Sequence, residues 1–162
     1  MLSRSYNAKT KKNLPTYEGC SVCDSWLVYS NFKKFYNENY YEIEELGRTE
    51  LDKDIICKGN KVYSPQTCIF VQHTINSLFT KRQNDRGTLP CGVTFVNGKY
   101  MAQCRNNKIK KYLGIFKTKE LAFNAYKIFK ENFIQETANK YKSQLPTNLY
   151  TAMMNYVVEI SD

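Results

Sequence analysis

Aromatic and apolar side chains recur with helical spacing in the early part of the chain. Intervals of three and four residues separate most members of one stripe, formed by Trp26, Tyr29, Phe32, Phe35 and Tyr36. This spacing is typical of an amphipathic helix with one buried face. Residues 1–16, in contrast, are polar and basic. The pattern therefore predicts a flexible basic arm followed by a helix.

A different pattern begins at residue 50. The stretch "LDKDII" alternates between polar and apolar positions, "KGNK" has the composition of a turn, and "KVYS" resumes the alternation. Together these features predict a tight β-hairpin. The apolar segment that follows predicts a short helix near residues 71–80.

Three alternating runs and a helical run follow the polar stretch around Gly87 and Pro90. The alternating runs cover residues 92–96, 99–105 and 110–116. They are separated by "NG" and "NNK", which are typical of the turns that join antiparallel strands. Thr118 is a residue type that caps helices, and the buried face of the next helix is predicted from Ala122, Ala125, Tyr126, Phe129 and Phe133. A closing helix is predicted after Pro146.

These elements predict an α+β fold in which a three-stranded antiparallel sheet packs on one helix. Four consecutive segments follow from the pattern. They are a basic flexible arm (1–16), a helix-hairpin-helix module (17–85), the sheet-and-helix module (86–136) and a C-terminal helical extension (137–162).

Charge is distributed unevenly along the chain, whose formal net charge is +9. Residues 86–117 hold seven Lys or Arg and no Asp or Glu, whereas residues 36–54 hold seven acidic residues. A segregated basic stretch favours partners that carry phosphate, because binding releases counterions. The arm, with Arg4, Lys9, Lys11 and Lys12, is expected to add phosphate contacts.

Several classes of protein are excluded by composition. The sequence has no apolar run of the length that a membrane helix needs, and its N-terminus lacks the apolar core of a secretory signal. We therefore expect a cytoplasmic protein with no membrane partner, and six cysteines as reduced thiols. Cys20 and Cys23 have the spacing of zinc ligands. Without a second close pair, buried thiols are the favoured interpretation.

Residues 92–126 resemble the APETALA2-type DNA-binding domain, also called the ethylene-response-factor or integrase-type domain. The matching residues are Gly92-Val93, Gly98-Lys99-Tyr100 with Ala102, "YLGIF" at 112–116, Thr118 with Glu120, and "AFNAY" at 122–126. The resemblance implies that the outer face of the sheet lies in the major groove of double-stranded DNA. Alternation in "KYMAQCR" predicts that Tyr100, Ala102 and Cys104 face the helix and that the residues between them face outward.

Carried over by position, the resemblance implies a set of DNA-binding residues on this sheet. The set consists of Thr94, Val96, Lys99, Gln103, Arg105, Lys110 and Tyr112, with Lys108 and Lys111 beside them. Lys, Arg and Gln donate hydrogen bonds to phosphates and base edges. Thr94 and Val96 stand where the family has arginines, so the family's GC-rich target is not expected here.

Residues 50–78 are similar to the HNH nuclease motif, in which a general base and a divalent metal act on water. Gly59-Asn60 matches its turn, Asp52 or Asp54 its acid, and Asn76 its closing residue. The resemblance implies a ββα module, with Asp52, Asp54, Asn60 and His73 as catalytic candidates. Asp54 and Asn76 would be ligands of Mg²⁺ or Mn²⁺. Lys53 stands where the family has its catalytic His, and a Lys with a pKa of about 10.4 is a poor base.

Three functions follow from these observations. The sequence favours a duplex DNA-binding protein that does not cleave. An HNH-type, homing-like endonuclease is the enzymatic alternative. The chain also resembles small phage proteins that combine these two modules, which would place it in the cytoplasm of a host cell. A third hypothesis is therefore an inhibitor of host defence that binds a host protein through the acidic residues at 36–54.

Overall fold

The computed structural model describes residues 1–80, 87–106 and 109–162. Contacts divide the chain into two compact units, Met1–Asn76 and Ser77–Asp162. Helices and antiparallel strands occur together, so the predicted α+β fold is confirmed. Among the described helices, none combines the length and the apolar character needed to cross a bilayer.

The first unit combines short helices with two small sheets. Its helices are α1 (Leu2–Tyr6), α2 (Ala8–Asn13), α3 (Asp24–Leu27), α4 (Tyr29–Asn39) and α5 (His73–Asn76). Its strands are β1 (Ser21–Val22), β2 (Thr49–Asp52), β3 (Val62–Tyr63) and β4 (Ile69–Gln72). Strand β1 pairs in parallel with β3, and β2 pairs antiparallel with β4. Strands β2 and β4 also contact the one-turn helix α5.

Residues 1–16 form α1 and α2, so the prediction of a flexible arm is wrong. The Tyr6 hydroxyl accepts a hydrogen bond from the Val22 N–H at 3.1 Å. The Lys61 ammonium donates to the carbonyl of Thr16 at 2.8 Å. These bonds join residues that are distant in sequence, so hydrophobic periodicity does not reveal them.

The predicted hairpin after residue 50 is also wrong, because β2 pairs with β4 rather than with β3. The Asp52 carboxylate accepts hydrogen bonds from the backbone N–H groups of Asp54 and Ile55, each at 2.8 Å. These bonds turn the chain away from β2 before a hairpin can form. The helix predicted near residues 71–80 is confirmed by α5 and by the 3₁₀ turn that follows it.

The aromatic stripe of the first unit is divided between two helices. Trp26 is only 3% exposed and joins a core of apolar and thiol side chains. Val28 has an extended backbone that separates α3 from α4. The break changes the helical phase, so Tyr29 is 74% exposed although the spacing predicts that it is buried. Phe32 and Phe35 pack against the core as predicted.

The second unit contains the three-stranded antiparallel sheet that the sequence predicts. Its strands are β5 (Val93–Val96), β6 (Lys99–Asn106) and β7 (Ile109–Phe116), with β6 in the centre. Asn97 and Gly98 between β5 and β6 have φ angles of 50° and 75°, as a two-residue type I′ hairpin requires. The second predicted turn includes residues 107–108, which lie outside the described residues.

Two helices complete the second unit, α6 (Lys119–Lys140) and α7 (Thr147–Met154). Thr118 caps α6 as predicted, because its hydroxyl accepts a first-turn backbone N–H at 3.3 Å. Pro146 precedes α7, also as predicted. Helix α6 is continuous to residue 140, so the predicted segment boundary at residue 137 lies inside a helix.

The core of the second unit lies between the sheet and α6. Ala102 and Cys104 on β6 are 0% and 2% exposed, and they pack with Ala122 and Tyr126 of the helix. The prediction that this side of β6 faces the helix is therefore confirmed. Val158, beyond α7, joins the same core.

Candidate nucleic-acid interface

The outer face of the sheet follows from the alternation of side chains along each strand. Since Ala102 and Cys104 face α6, their neighbours on β6 point the other way. Residues directly opposite one another across a sheet share a face. The register therefore places four sets of facing residues on the outer side of the sheet. They are Val96 with Lys99, Thr94 with Met101 and Ile115, Gln103 with Tyr112, and Arg105 with Lys110.

Cations occupy both ends of this outer face. Arg105 lies opposite Lys110 at one end and Lys99 lies opposite Val96 at the other. All three cationic side chains are exposed. Neither Asp nor Glu occurs in the described residues of the three strands, so the cations are not neutralised by acids of the sheet itself. The face is suited to bind a polyanion.

Polar groups that can contact bases lie between the two cationic ends. The Gln103 amide donates from Nε2 to the Thr94 hydroxyl at 3.1 Å, which holds the amide across two strands. Tyr112, opposite Gln103, is 58% exposed. The structure therefore brings together Thr94, Lys99, Gln103, Arg105, Lys110 and Tyr112, all of which the sequence assigned to DNA binding.

Two other lysines that the sequence assigned to DNA binding do not belong to this group. Lys111 lies opposite Cys104, so the register places it on the side of the sheet that faces the helix. Lys111 is exposed but does not share a face with Lys110, because adjacent residues of one strand alternate between faces, and its assignment to DNA binding stays a prediction. Lys108 lies outside the described residues.

A β-bulge brings an additional residue to the outer face. Between the pairs Ala102–Gly114 and Gln103–Tyr112 the register shifts, which leaves Leu113 as the extra residue of β7. Beyond the bulge the phase of β7 changes, and Ile115 becomes an outer-face residue, 54% exposed. Ile115 was not among the residues predicted to lie on the outer face. Counted from Tyr112 without a bulge, strict alternation turns residue 115 towards the helix; the bulge reverses this.

A buried amine lies behind the sheet, on α6. Lys130 is buried although a lysine side chain is normally exposed. Burial lowers the pKa of Lys130, and the nearby thiols of Cys104 and Cys91 partly oppose that change. Sequence periodicity had not indicated Lys130 as part of the core.

The first unit contains a polar cavity of about 480 Å³ in the region assigned to the HNH-like site. Glu50, Asp52 and Asp54 line it together with Asn76. Three basic side chains line it as well: Arg4 and Arg48 from outside the predicted motif, and Lys53 from inside it. Asp52, Asp54 and Asn76 thus line one cavity, together with Glu50, which the sequence suggested only as part of the acidic stretch at 36–54.

Two carboxyl groups of this cavity have opposite pKa shifts. Burial and the neighbouring Asp54 carboxylate raise the pKa of Asp52 from 3.8 to about 6. Burial also disfavours the charge of Glu50, but hydrogen bonds from Asn76, Arg48 and His73 outweigh that effect and lower its pKa. Glu50 is therefore the cavity's firmly ionised carboxylate.

The side chains expected to hold a divalent metal are engaged in other contacts. The Asp54 carboxylate forms an ion pair with Lys53 at 3.0 Å. Asn76 donates its amide Nδ2 to Glu50 at 2.8 Å. In the part of the chain that the structure describes, no group of three His, Cys, Asp or Glu side chains is placed to hold a metal ion. Asp54 and Asn76 are thus both engaged by groups of the protein itself.

The other two catalytic candidates do not line the cavity. Asn60 donates from Nδ2 to the carbonyls of Lys53 and Val62, each at 2.7 Å, and so braces the loop before β3. His73 is exposed, and its Nδ1 lies 3.0 Å from Glu50. Their geometry gives Asn60 a structural role and makes His73 a partner of Glu50.

The candidate zinc pair is part of the first unit's core. Cys20 is buried beside Trp26, and Cys23 lies at the edge of the same cluster, 3.2 Å from the Ser25 hydroxyl. Both side chains are thiols. Packing accounts for their positions.

Comparison of the chain with protein-family models, with curated proteins and with solved structures finds no match. The functional assignment accordingly depends on the residues and on the geometry of the two units.

Proposed function

We propose that this protein binds double-stranded DNA through the outer face of the β5–β6–β7 sheet and does not cleave it. The observation that carries the proposal is the shared exposed face of Lys99, Arg105 and Lys110, with Gln103 and Tyr112 between them. No acid of the described strands opposes these cations. Such a face meets the electrostatic requirement of phosphate binding.

The dimensions of the sheet also favour duplex DNA. Three strands at their usual spacing span roughly 10 Å between the outer backbones. The major groove of B-DNA is about 12 Å wide, whereas the major groove of an RNA duplex is deep and narrow. The sheet can therefore enter the groove of DNA with its outer side chains towards the base edges.

Two observations favour binding without cleavage. Lys53 stands at the position where an HNH enzyme has its general base, and its ammonium group is paired with Asp54. Asn76 donates its amide Nδ2 to Glu50, a residue that the HNH resemblance does not include. The first unit would then support the protein's structure or its contacts with the backbone of DNA.

Charge reversal provides the test of this proposal. Arg105→Glu/Lys110→Glu should abolish binding of a random-sequence duplex, measured by fluorescence anisotropy, while circular dichroism shows an intact fold. Lys33→Glu/Lys34→Glu is the matched control, since it changes the net charge equally on exposed residues of α4. Equal loss of binding in both variants would contradict a role for the sheet.

Cleavage is tested separately on supercoiled plasmid with Mg²⁺ or Mn²⁺. The proposal predicts that the plasmid stays intact. Nicking that disappears in Asp54→Ala or Asn76→Ala would instead establish the nuclease alternative.

A further inference from the structure

One row of the outer face, between Lys99 and Gln103, is mainly apolar. Thr94, Met101 and Ile115 lie directly opposite one another across the three strands. Ile115 is 54% exposed, and Val96 beside this row is 41% exposed. These side chains point away from α6, so packing of the core does not account for them.

Exposed apolar side chains within a binding face need an apolar partner, because burying them with polar groups yields little free energy. The major groove contains one such group, the C5 methyl of thymine. No other base of unmodified DNA presents an apolar group there. The apolar row therefore matches A·T pairs better than G·C pairs.

The Gln103 amide, which lies next to this row, also favours A·T pairs. A glutamine side chain recognises adenine by donating to N7 and accepting from the N6 amino group. The Gln103 amide is oriented by its 3.1 Å bond to Thr94. Its Nε2 carries two protons, so a bond to Thr94 leaves a second proton for N7.

We infer that the sheet recognises A·T-rich duplex DNA, with Gln103 on an adenine edge and the row of Met101 and Ile115 on thymine methyl groups. This inference rests on the proposed function, because it names the sequence class that the same face would bind. In it, Arg105, Lys110 and Lys99 contact the phosphates at either end of the face.

The test compares four random duplexes of equal length at one salt concentration. The first duplex contains only A·T pairs, and the second is the same duplex with uracil in place of thymine. The third contains only G·C pairs, and the fourth is the same duplex with 5-methylcytosine in place of cytosine. Uracil removes the methyl group and keeps the hydrogen bonds, whereas 5-methylcytosine adds a methyl group at the same groove position. We expect A·T duplex to bind best and uracil to weaken binding by about three- to tenfold. We also expect 5-methylcytosine to strengthen binding to the G·C duplex.

Two single variants separate the methyl contacts from the amide contacts. Ile115→Ala should bring the affinities for the thymine and uracil duplexes close together. Since Ile115 is more than half exposed, this substitution should leave the fold intact, as circular dichroism would verify. Gln103→Ala should reduce the preference for A·T over G·C while the difference between thymine and uracil persists.

The outcomes distinguish this inference from the proposed function. Equal, salt-sensitive binding of all four duplexes by the wild-type protein would overturn the A·T preference and leave DNA binding intact. Stronger binding of the G·C duplex would overturn it as well. Absence of binding to every duplex would overturn both.

Discussion

At the residue scale, Gly92 determines how closely the sheet approaches α6. Its φ is +74°, and a Cβ added there would lie 2.0 Å from Cδ2 of the Tyr126 ring. We expect Gly92→Ala to destabilise the protein by about 2–4 kcal/mol, because it adds both backbone strain and overlap with the ring. Urea unfolding followed by circular dichroism measures the change.

Gly98 offers a matched control for that substitution. Its φ is nearly the same, +75°, but an added Cβ would meet nothing within 4 Å. Gly98→Ala should therefore cost only the backbone term, about 1 kcal/mol. If the two variants were equally stable, contact with Tyr126 would not be the reason for glycine at residue 92.

Asp52 should make the stability of the first unit dependent on pH. Its pKa is about 6 in the folded protein against an ordinary value of 3.8. Between these two values the folded state binds more protons than the unfolded state, so stability falls as pH rises from about 4 to 6. The loss should be on the order of 3 kcal/mol at pH 7.

Asp52→Asn should remove this dependence and raise stability at pH 7. The amide oxygen can still accept the N–H groups of Asp54 and Ile55, whereas the buried charge is lost. Fluorescence of Trp26, the single tryptophan of the chain, follows unfolding of the first unit at each pH. An unchanged slope against pH in this variant would show that another group is responsible.

At the element scale, local patterns predicted the second unit far better than the first. The three strands, the turn at Asn97-Gly98 and the cap at Thr118 all depend on residues close together in sequence. Alternation also predicted which side of β6 faces the helix. Alternation alone missed the bulge at Leu113, although an isolated glycine inside a strand, here Gly114, is a sequence sign of a bulge.

The elements of the first unit depend on distant partners. Strand β2 has the alternation of a hairpin strand, yet it pairs with β4 across an intervening loop that Asp52 and Asn60 brace. Helices α1 and α2 are mostly polar, and neither the contact of α1 with β1 nor the bond of Lys61 to Thr16 carries a periodic signal. The same limit applies to the cavity, where Arg4 and Arg48 join the acidic residues only through the tertiary fold.

At the scale of the whole molecule, a net charge of +9 could bind DNA without any specific face. The position of the cations, rather than their number, distinguishes the two cases. For a sheet that contacts phosphates through Lys99, Arg105 and Lys110, the logarithm of the affinity should fall against the logarithm of salt with a slope of about −3.

Two charge-matched variants of the full chain separate these cases. Arg105→Gln/Lys110→Gln should reduce the magnitude of the slope by about 2, because each lost phosphate contact releases about one counterion fewer. Lys9→Gln/Lys12→Gln removes the same charge from exposed residues of α2 and should leave the slope unchanged. Anisotropy titrations between 50 and 200 mM salt, on the order of the range where such slopes are resolved, measure both. Similar slopes for the two variants would mean that the total charge governs binding. A reduced slope for Lys9→Gln/Lys12→Gln alone would mean that the phosphate contacts are made by the first unit.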